Sequence, residues 1–376
     1  MQEMTSQAAA AAETKQPDPI PSIHVKWVRF AHDPGANLRH ALERPTAFQI
    51  MGSKESGKSA LGEVIACKYP KIIDIFGSRD NEGLAWCRSP FQDSILFLKG
   101  KSAEVKSQWP AIDAVDIKLS DLEKYHVIIS CSAFYSDIRE EWYALTKLMN
   151  RLWQRTSWTQ PWAVQIREAA NLLYSRVSIG DSQQQAKNYI IYVMREMRHC
   201  GYALSMDSIR WYSVDIDMRT IADYTFIKAQ GIEGLPGELR FLYRWFDPFG
   251  VMRMGVDRFA VVCRKGPIGF GHSGLPSWHK QENENILNLL DIQVKYSDLP
   301  DTGEKGLSHV GDYEHVRIVQ ARFETKEGME KLAEKIGRSS RTVHKHITYH
   351  NATIQTLGEC DRCARVKSLL SKQVLE

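Results

Sequence analysis

Short runs of apolar, β-branched and aromatic residues recur along the chain, and stretches with helical apolar spacing separate them. The strand-like runs are residues 47–51, 71–76, 94–99, 126–131, 162–166, 202–206, 224–228 and 258–264. Alternation of this kind predicts an α/β fold over residues 23–296, a mostly parallel sheet covered by helices. Residues 1–22, with a five-alanine run and Pro17, Pro19 and Pro21, read as a flexible lead-in. Residues 297–314, which hold Asp298, Pro300, Gly303, Gly306 and Gly311, read as a linker. A second, small domain follows over residues 315–376, and no internal repeat is visible.

At 376 residues the chain has room for one large domain and one small one. Its net charge of +4 excludes a general polycation, so any surface for nucleic acid must be local. No run reaches the roughly 18 apolar residues a membrane span needs, and the N-terminus lacks a signal-peptide core. Seven mostly dispersed cysteines point to a reducing compartment, the cytoplasm, rather than a disulfide framework.

The chemistry-bearing segment is Gly52-Ser53-Lys54-Glu55-Ser56-Gly57-Lys58-Ser59, a complete G-x-x-x-x-G-K-[ST] phosphate loop. The strand-like run 47–51 leads into it, and a helix-like run from Ala60 to Tyr69 leads out. The glycines let backbone N–H groups curl around phosphates, while Lys58 reaches the β- and γ-phosphates of ATP. Ser59 offers a hydroxyl to Mg²⁺, and the helix opening at Ala60 adds its partial positive charge. Hydrolysis also needs a carboxylate to activate water, and two acids at strand ends compete. Asp74 closes the apolar start of 71–76, one unit after the loop, and is also a candidate to assist Mg²⁺. Glu168 follows 162–166 at a long separation from Lys58, which suits P-loop enzymes with an additional strand.

Around Glu168 the chain resembles the HerA/FtsK superfamily of DNA-pumping ATPases. Ile166-Arg167-Glu168-Ala169-Ala170-Asn171-Leu172 is similar to that family's Walker B ending, and Arg195-Glu196-Met197-Arg198-His199-Cys200-Gly201 to its Arg-Glu-x-Arg-x-x-Gly segment. The strand after it and the downstream Val214-Asp215 fit the same order, so the resemblance covers roughly residues 25–295. It implies a RecA-like core with an additional strand, Glu168 as the water-activating base, and Arg198 or Arg195 reaching a neighbouring subunit's nucleotide. It further implies a homo-oligomer, a hexameric ring, acting on double-stranded DNA. Two positions depart from the pattern. Arg167 stands where the family has the aspartate that helps hold Mg²⁺, and Met206-Asp207-Ser208 where it has a Thr-Gln sensor of the γ-phosphate.

In the second domain, residues 332–347 resemble the helix-turn-helix of winged-helix DNA-binding domains. Leu332, Ala333 and Ile336 form one apolar face, Gly337 allows the turn, and Ser339 or Ser340 caps the next helix. Val343 and Ile347 bury that helix, leaving Ser340, Arg341, Thr342, His344 and Lys345 to meet DNA. A helical hairpin for protein contacts remains the alternative. Beyond it, Cys360 and Cys363 form one C-x-x-C, half of a four-ligand Zn²⁺ site that His344, His346 or His350 could complete, or simply two thiols on a turn. Arg362, Arg365, Lys367 and Lys372 make a basic tail.

The expected function is an oligomeric motor that couples ATP hydrolysis to movement or remodelling of duplex DNA. The alternatives are an ATP-switched DNA-binding regulator that moves no DNA, and an interaction protein that uses the phosphate loop as an assembly switch.

Overall fold

The computed structural model describes residues 20–75, 80–173, 181–296, 311–324 and 328–373. Residues 1–19 and 297–310, most of the expected lead-in and linker, lie outside the described residues. Eleven strands form one sheet. From edge to edge they are Ile23–Arg29, Ile268–Ser273, Arg258–Cys263, Tyr224–Ile227, Ala47–Met51, Tyr202–Ser208, Trp162–Ile166, Ile72–Ile75, Val127–Ser130, Ile95–Lys99 and Ala111–Asp113. The strands from Tyr224–Ile227 onward are mutually parallel, and the first three join them as an antiparallel edge.

This is the expected α/β core, and Tyr202–Ser208 is its additional strand, standing between Ala47–Met51 and Trp162–Ile166. Every residue of Ala47–Met51, Ile72–Ile75, Val127–Ser130 and Trp162–Ile166 is buried, because helices cover both faces of a parallel sheet. Helices Ile138–Trp153 and Asp181–Cys200 pack against each other, and Lys58–Ala66 packs on the central strands. The last contact is tight. A Cβ at Gly62 would stand 2.8 Å from the Gln165 amide.

Several strands carry no clear signal. Ile268–Ser273 holds two glycines, which weaken strand propensity, yet a Cβ at Gly271 would come within 2.4 Å of the Phe259 ring and the His24 carbonyl. Ala103–Lys106 pairs with Gln293–Tyr296 in a separate two-stranded sheet.

The C-terminal unit is four helices, Asp312–Glu324, Met329–Ile336, Ser340–Leu357 and Asp361–Gln373, around a small core of Ile318, Leu332, Ala333 and Val343. Residues 312–314, expected in the linker, are helical. The helix-turn-helix expectation meets Met329–Ile336 and Ser340–Leu357, joined through Gly337 at φ +73 and capped by Ser339, which accepts from the Thr342 N–H at 3.2 Å. No strand occurs among the described residues of this unit, and the two helices are compatible with the expected helix-turn-helix. Glu359 fastens the unit to the core by accepting from Tyr143 and Lys147 of helix Ile138–Trp153.

Gly201 marks where local geometry is least forgiving. It ends helix Asp181–Cys200 at φ +75, and a Cβ there would lie 2.2 Å from the Trp158 indole. Gly201→Ala is expected to lower stability by about 1–3 kcal/mol. Urea unfolding measures this, and an unchanged midpoint would mean that Trp158 yields without cost.

Candidate functional site

The phosphate loop follows Ala47–Met51, the central strand, and runs into helix Lys58–Ala66. Its backbone is wound as anion binding requires: Glu55 and Gly57 have φ of +62° and +80°. At Gly57 a Cβ would meet the Val256 carbonyl at 2.5 Å, and at Gly52 it would meet the Ser56 hydroxyl at 2.5 Å. Lys58 folds back over the loop and donates to the Ser53 carbonyl at 2.9 Å, and the Ser56 hydroxyl donates to the same oxygen at 2.8 Å. Ser53 is tied to the Ala229 carbonyl by both its N–H and its hydroxyl. Lys54 and Glu55 are exposed, while Ala60 is buried in the first turn of the helix.

A cleft of about 1040 Å³ opens beside the loop, lined by Lys58, Ser59, Glu82, Glu168, His279 and Leu287 among others. Glu168 ends the strand Trp162–Ile166 in a left-handed conformation, φ +45°, with its N–H donating to Asp207 at 2.8 Å. Burial raises the Glu168 pKa above its ordinary value, opposed by the Lys58 charge. Asp207 and Ser208 end the additional strand beside it. Asp207 Oδ2 and the Ser208 hydroxyl are buried without a partner among the described residues. Burial pushes the Asp207 carboxyl up to about 7, against the nearby Lys58.

Arg167, directly before Glu168, is fully buried. Its Nε donates to both Asp74 oxygens at 3.0 and 2.9 Å, and its Nη2 to Asp74 at 2.7 Å and Glu63 at 3.0 Å. Nη1 reaches Glu82 at 3.4 Å, and His279 Nδ1 stands 3.1 Å from Glu63. Burial opposes the charge, but the Asp74 and Glu63 carboxylates hold the Arg167 pKa well above its ordinary value.

This network corrects one expectation. Asp74 does not line the cleft, because Arg167 and the Trp86 indole N–H, at 2.6 Å, engage its carboxylate. The acid that lines the cleft with Ser59 is Glu82. Burial would raise the Glu82 pKa, but Arg167 and the Ser59 hydroxyl lower it on balance.

Sequence reasoning missed Glu82, Glu63 and His279, which follow no motif. It also missed Lys228, which directly follows Tyr224–Ile227 and so had a strand-end signal. Lys228 is fully buried next to the loop, donates to the Val256 carbonyl at 2.5 Å, and is held down to about 8 by burial.

Arg195 and Arg198 do not join the cleft of their own chain. Arg195 pairs with Asp217 at 2.8 Å, and Arg198 pairs with Asp223, whose carboxylate also accepts from Ala47 N–H. Ala47 opens the strand whose far end carries the phosphate loop, so roughly 16 Å of strand separates Arg198 from the loop.

In the C-terminal unit, Ser340, Arg341 and His344 are exposed and Thr342 and Lys345 half-buried along the start of helix Ser340–Leu357. Arg338, part of the same basic run, is held by Glu314 at 2.6 and 3.0 Å. Cys360 and Cys363 lie in one cluster with His350 and with His315, which the sequence did not single out. His344 is not among them, and His346 touches the cluster through His315.

No family model matches the chain, and no curated protein matches it. Among solved structures it is similar to the genome-packaging NTPase B204 of Sulfolobus turreted icosahedral virus 2 bound to ATP-gammaS. That likeness has 17% identity and a TM-score of 0.35, over 61% of this chain and 97% of the other. It is also similar to EccC of Thermomonospora curvata (ATPases 2 and 3), at 11% identity and a TM-score of 0.34, over 61% of this chain and 37% of that one. Neither overlap is close enough to assign a role to any residue.

Two variants probe the buried charges. Arg167→Leu leaves Asp74, Glu63 and Glu82 without their shared cation, with an expected loss of about 3–5 kcal/mol at neutral pH. The loss shrinks as pH falls and these acids take up protons, which urea unfolding across pH reads directly. Asp207 contributes stability that is complete below its ordinary pKa and declines as pH rises through about 7. Asp207→Asn is therefore expected to flatten this decline, so that the variant gains on wild type between about pH 4 and pH 7, the interval that the two pKa values bracket. Parallel stability curves would show that Asp207 is ionised throughout.

Proposed function

We propose that this chain hydrolyses ATP in the cleft beside its phosphate loop and, as an oligomer, moves or remodels double-stranded DNA. The placing of Glu168 carries the reading: a strand-end acid, its backbone N–H held by Asp207, lines the same cleft as Lys58 across one additional strand.

The residues divide the work by their chemistry. Lys58 would exchange the Ser53 carbonyl for the β- and γ-phosphates, and the loop N–H groups from Gly52 to Ala60 would cradle them. The Ser59 hydroxyl and the Glu82 carboxylate are hard oxygen donors that line the same cleft, a pair that fits Mg²⁺. When bound, Mg²⁺ supplies charge neutralisation on the phosphates. Glu168 orients a water and takes its proton as the oxygen attacks the γ-phosphorus and the bond to the β-phosphate oxygen breaks, leaving ADP and phosphate. A buried Asp207 that holds its proton near neutrality would donate to a γ-phosphate oxygen, with Ser208 beside it, as the sensor.

Arg198 or Arg195 would complete the site only in trans, on a neighbour's nucleotide. Each is held by an exposed ion pair, which costs about 0–1 kcal/mol to open. Contacts of that head-to-tail kind close most simply as a ring, here a hexamer. The helix bearing Ser340, Arg341, Thr342, His344 and Lys345 would enter the major groove of the duplex. No helix among the described residues is long and apolar enough to cross a membrane, and the reading places the protein in the cytoplasm.

An ATP-switched DNA-binding regulator is the second reading. The observation in its favour is Arg167, which stands in place of a metal-holding aspartate and engages Asp74 as well.

Steady-state hydrolysis with and without long duplex DNA, read alongside oligomer mass, separates the two. The motor predicts strong DNA stimulation in an oligomer, lost in Lys58→Ala; binding without stimulated turnover selects the regulator. Glu168→Gln should retain ATP binding and lose turnover by about 10²–10⁴-fold. If turnover survives at wild-type level, the base is another residue.

A further inference from the structure

We propose that the C-terminal unit binds one Zn²⁺ through His315, His350, Cys360 and Cys363. One donor atom from each lies within 4.8 Å of the other three, and all but Cys363 are buried. The imidazole Nε2 of His315 stands 3.3 Å from Cys360 Sγ, and Cys363 Sγ stands 3.5 Å from His350 Nδ1. A tetrahedral ion with Zn–S of about 2.3 Å and Zn–N of about 2.0–2.1 Å spaces its nitrogen and sulfur ligands about 3.6 Å apart. The four donors are thus already close to the spacing the ion imposes. Two histidines and two cysteines are also the softness and number that a closed structural zinc site takes.

The surroundings support the ligand set. His315 Nδ1 lies 2.9 Å from His346 Nδ1, both rings fully buried. One of these nitrogens must donate to the other. With His315 donating, its Nε2 presents a lone pair to the cluster, the usual way an outer partner fixes a ligating tautomer. The unit also needs what an ion would supply. Its main apolar cluster holds four buried residues, Ile318, Leu332, Ala333 and Val343, which is small for a unit of about sixty residues to fold around. His315 comes from the first helix, His350 from the third, and Cys360 and Cys363 from the turn and start of the last. A single ion would therefore tie three helices together across a separation of 45 residues in sequence. Cys360 directly follows Glu359, the residue that fastens the unit to the core, so the same ion would fix that contact in place.

Elemental analysis of the full-length chain purified under reducing conditions is expected to find about one zinc per chain, retained on dialysis and released by a thiol-blocking reagent. Replacement by Co²⁺ should give the intense absorption of a four-coordinate site together with thiolate-to-metal charge transfer. His315→Ala and Cys363→Ser should reduce the metal to background, with nucleotide binding at the phosphate loop verifying that each variant is folded. His344→Ala, on the exposed side of its helix, should keep the full complement. A wild-type chain without zinc after supplementation, a six-coordinate cobalt spectrum, or a Cys360–Cys363 disulfide under reducing conditions would each overturn the proposal.

Discussion

Arg167 is the constraint on which the rest of the site depends. Its guanidinium joins Glu63 of the helix that leaves the phosphate loop, Asp74 of the neighbouring strand, and Glu82 of the segment that walls the cleft. Through Glu63 it reaches His279, on the opposite wall. Burying one cation among three carboxylates is costly, and attraction offsets the desolvation only where the hydrogen bonds are satisfied. The bonds at 2.7–3.0 Å to Asp74 and Glu63 meet that demand, so the arrangement tolerates little displacement. What the network contributes is less net stability than definition: it sets where Glu82 and Glu168 stand relative to Lys58.

The same network explains what the sequence made legible. The phosphate loop is contiguous, so its eight residues and their flanking strand and helix were readable together, as was the apolar run ending at Glu168. The additional strand followed from the long interval between Lys58 and Glu168. Arg167 itself was visible as a departure, but its partners lie 85, 93 and 104 residues away along the chain, and no local pattern pairs them. Asp74 was therefore offered as a rival base and an aid to Mg²⁺, with nothing local to show that Arg167 engages it. The strand Ile268–Ser273 escaped because its glycines answer to a close tertiary contact rather than to strand propensity.

A similar limit applies to the C-terminal unit. The turn at Gly337 and the cap at Ser339 were legible because capping is local. Charge was less so. Of the basic run from Lys335 to Lys345, Arg338 is paired with Glu314, and in the tail Arg362 and Arg365 both engage Asp312. Part of each basic cluster in the sequence thus braces the unit itself, while Arg341 and His344 are exposed on the helix. His315 went unnoticed because it lies on a helix well upstream of the other donors.

Tyr143 and Lys147 are one helical turn apart on Ile138–Trp153, the helix that follows the strand Val127–Ser130, so Glu359 moors the C-terminal unit to the outer half of the sheet. The cleft beside the phosphate loop is lined by none of these three residues. A change in the cleft can therefore leave the mooring undisturbed. Helix Ser340–Leu357 ends two residues before Glu359, so its C-terminal end is held to its own core independently of the cleft.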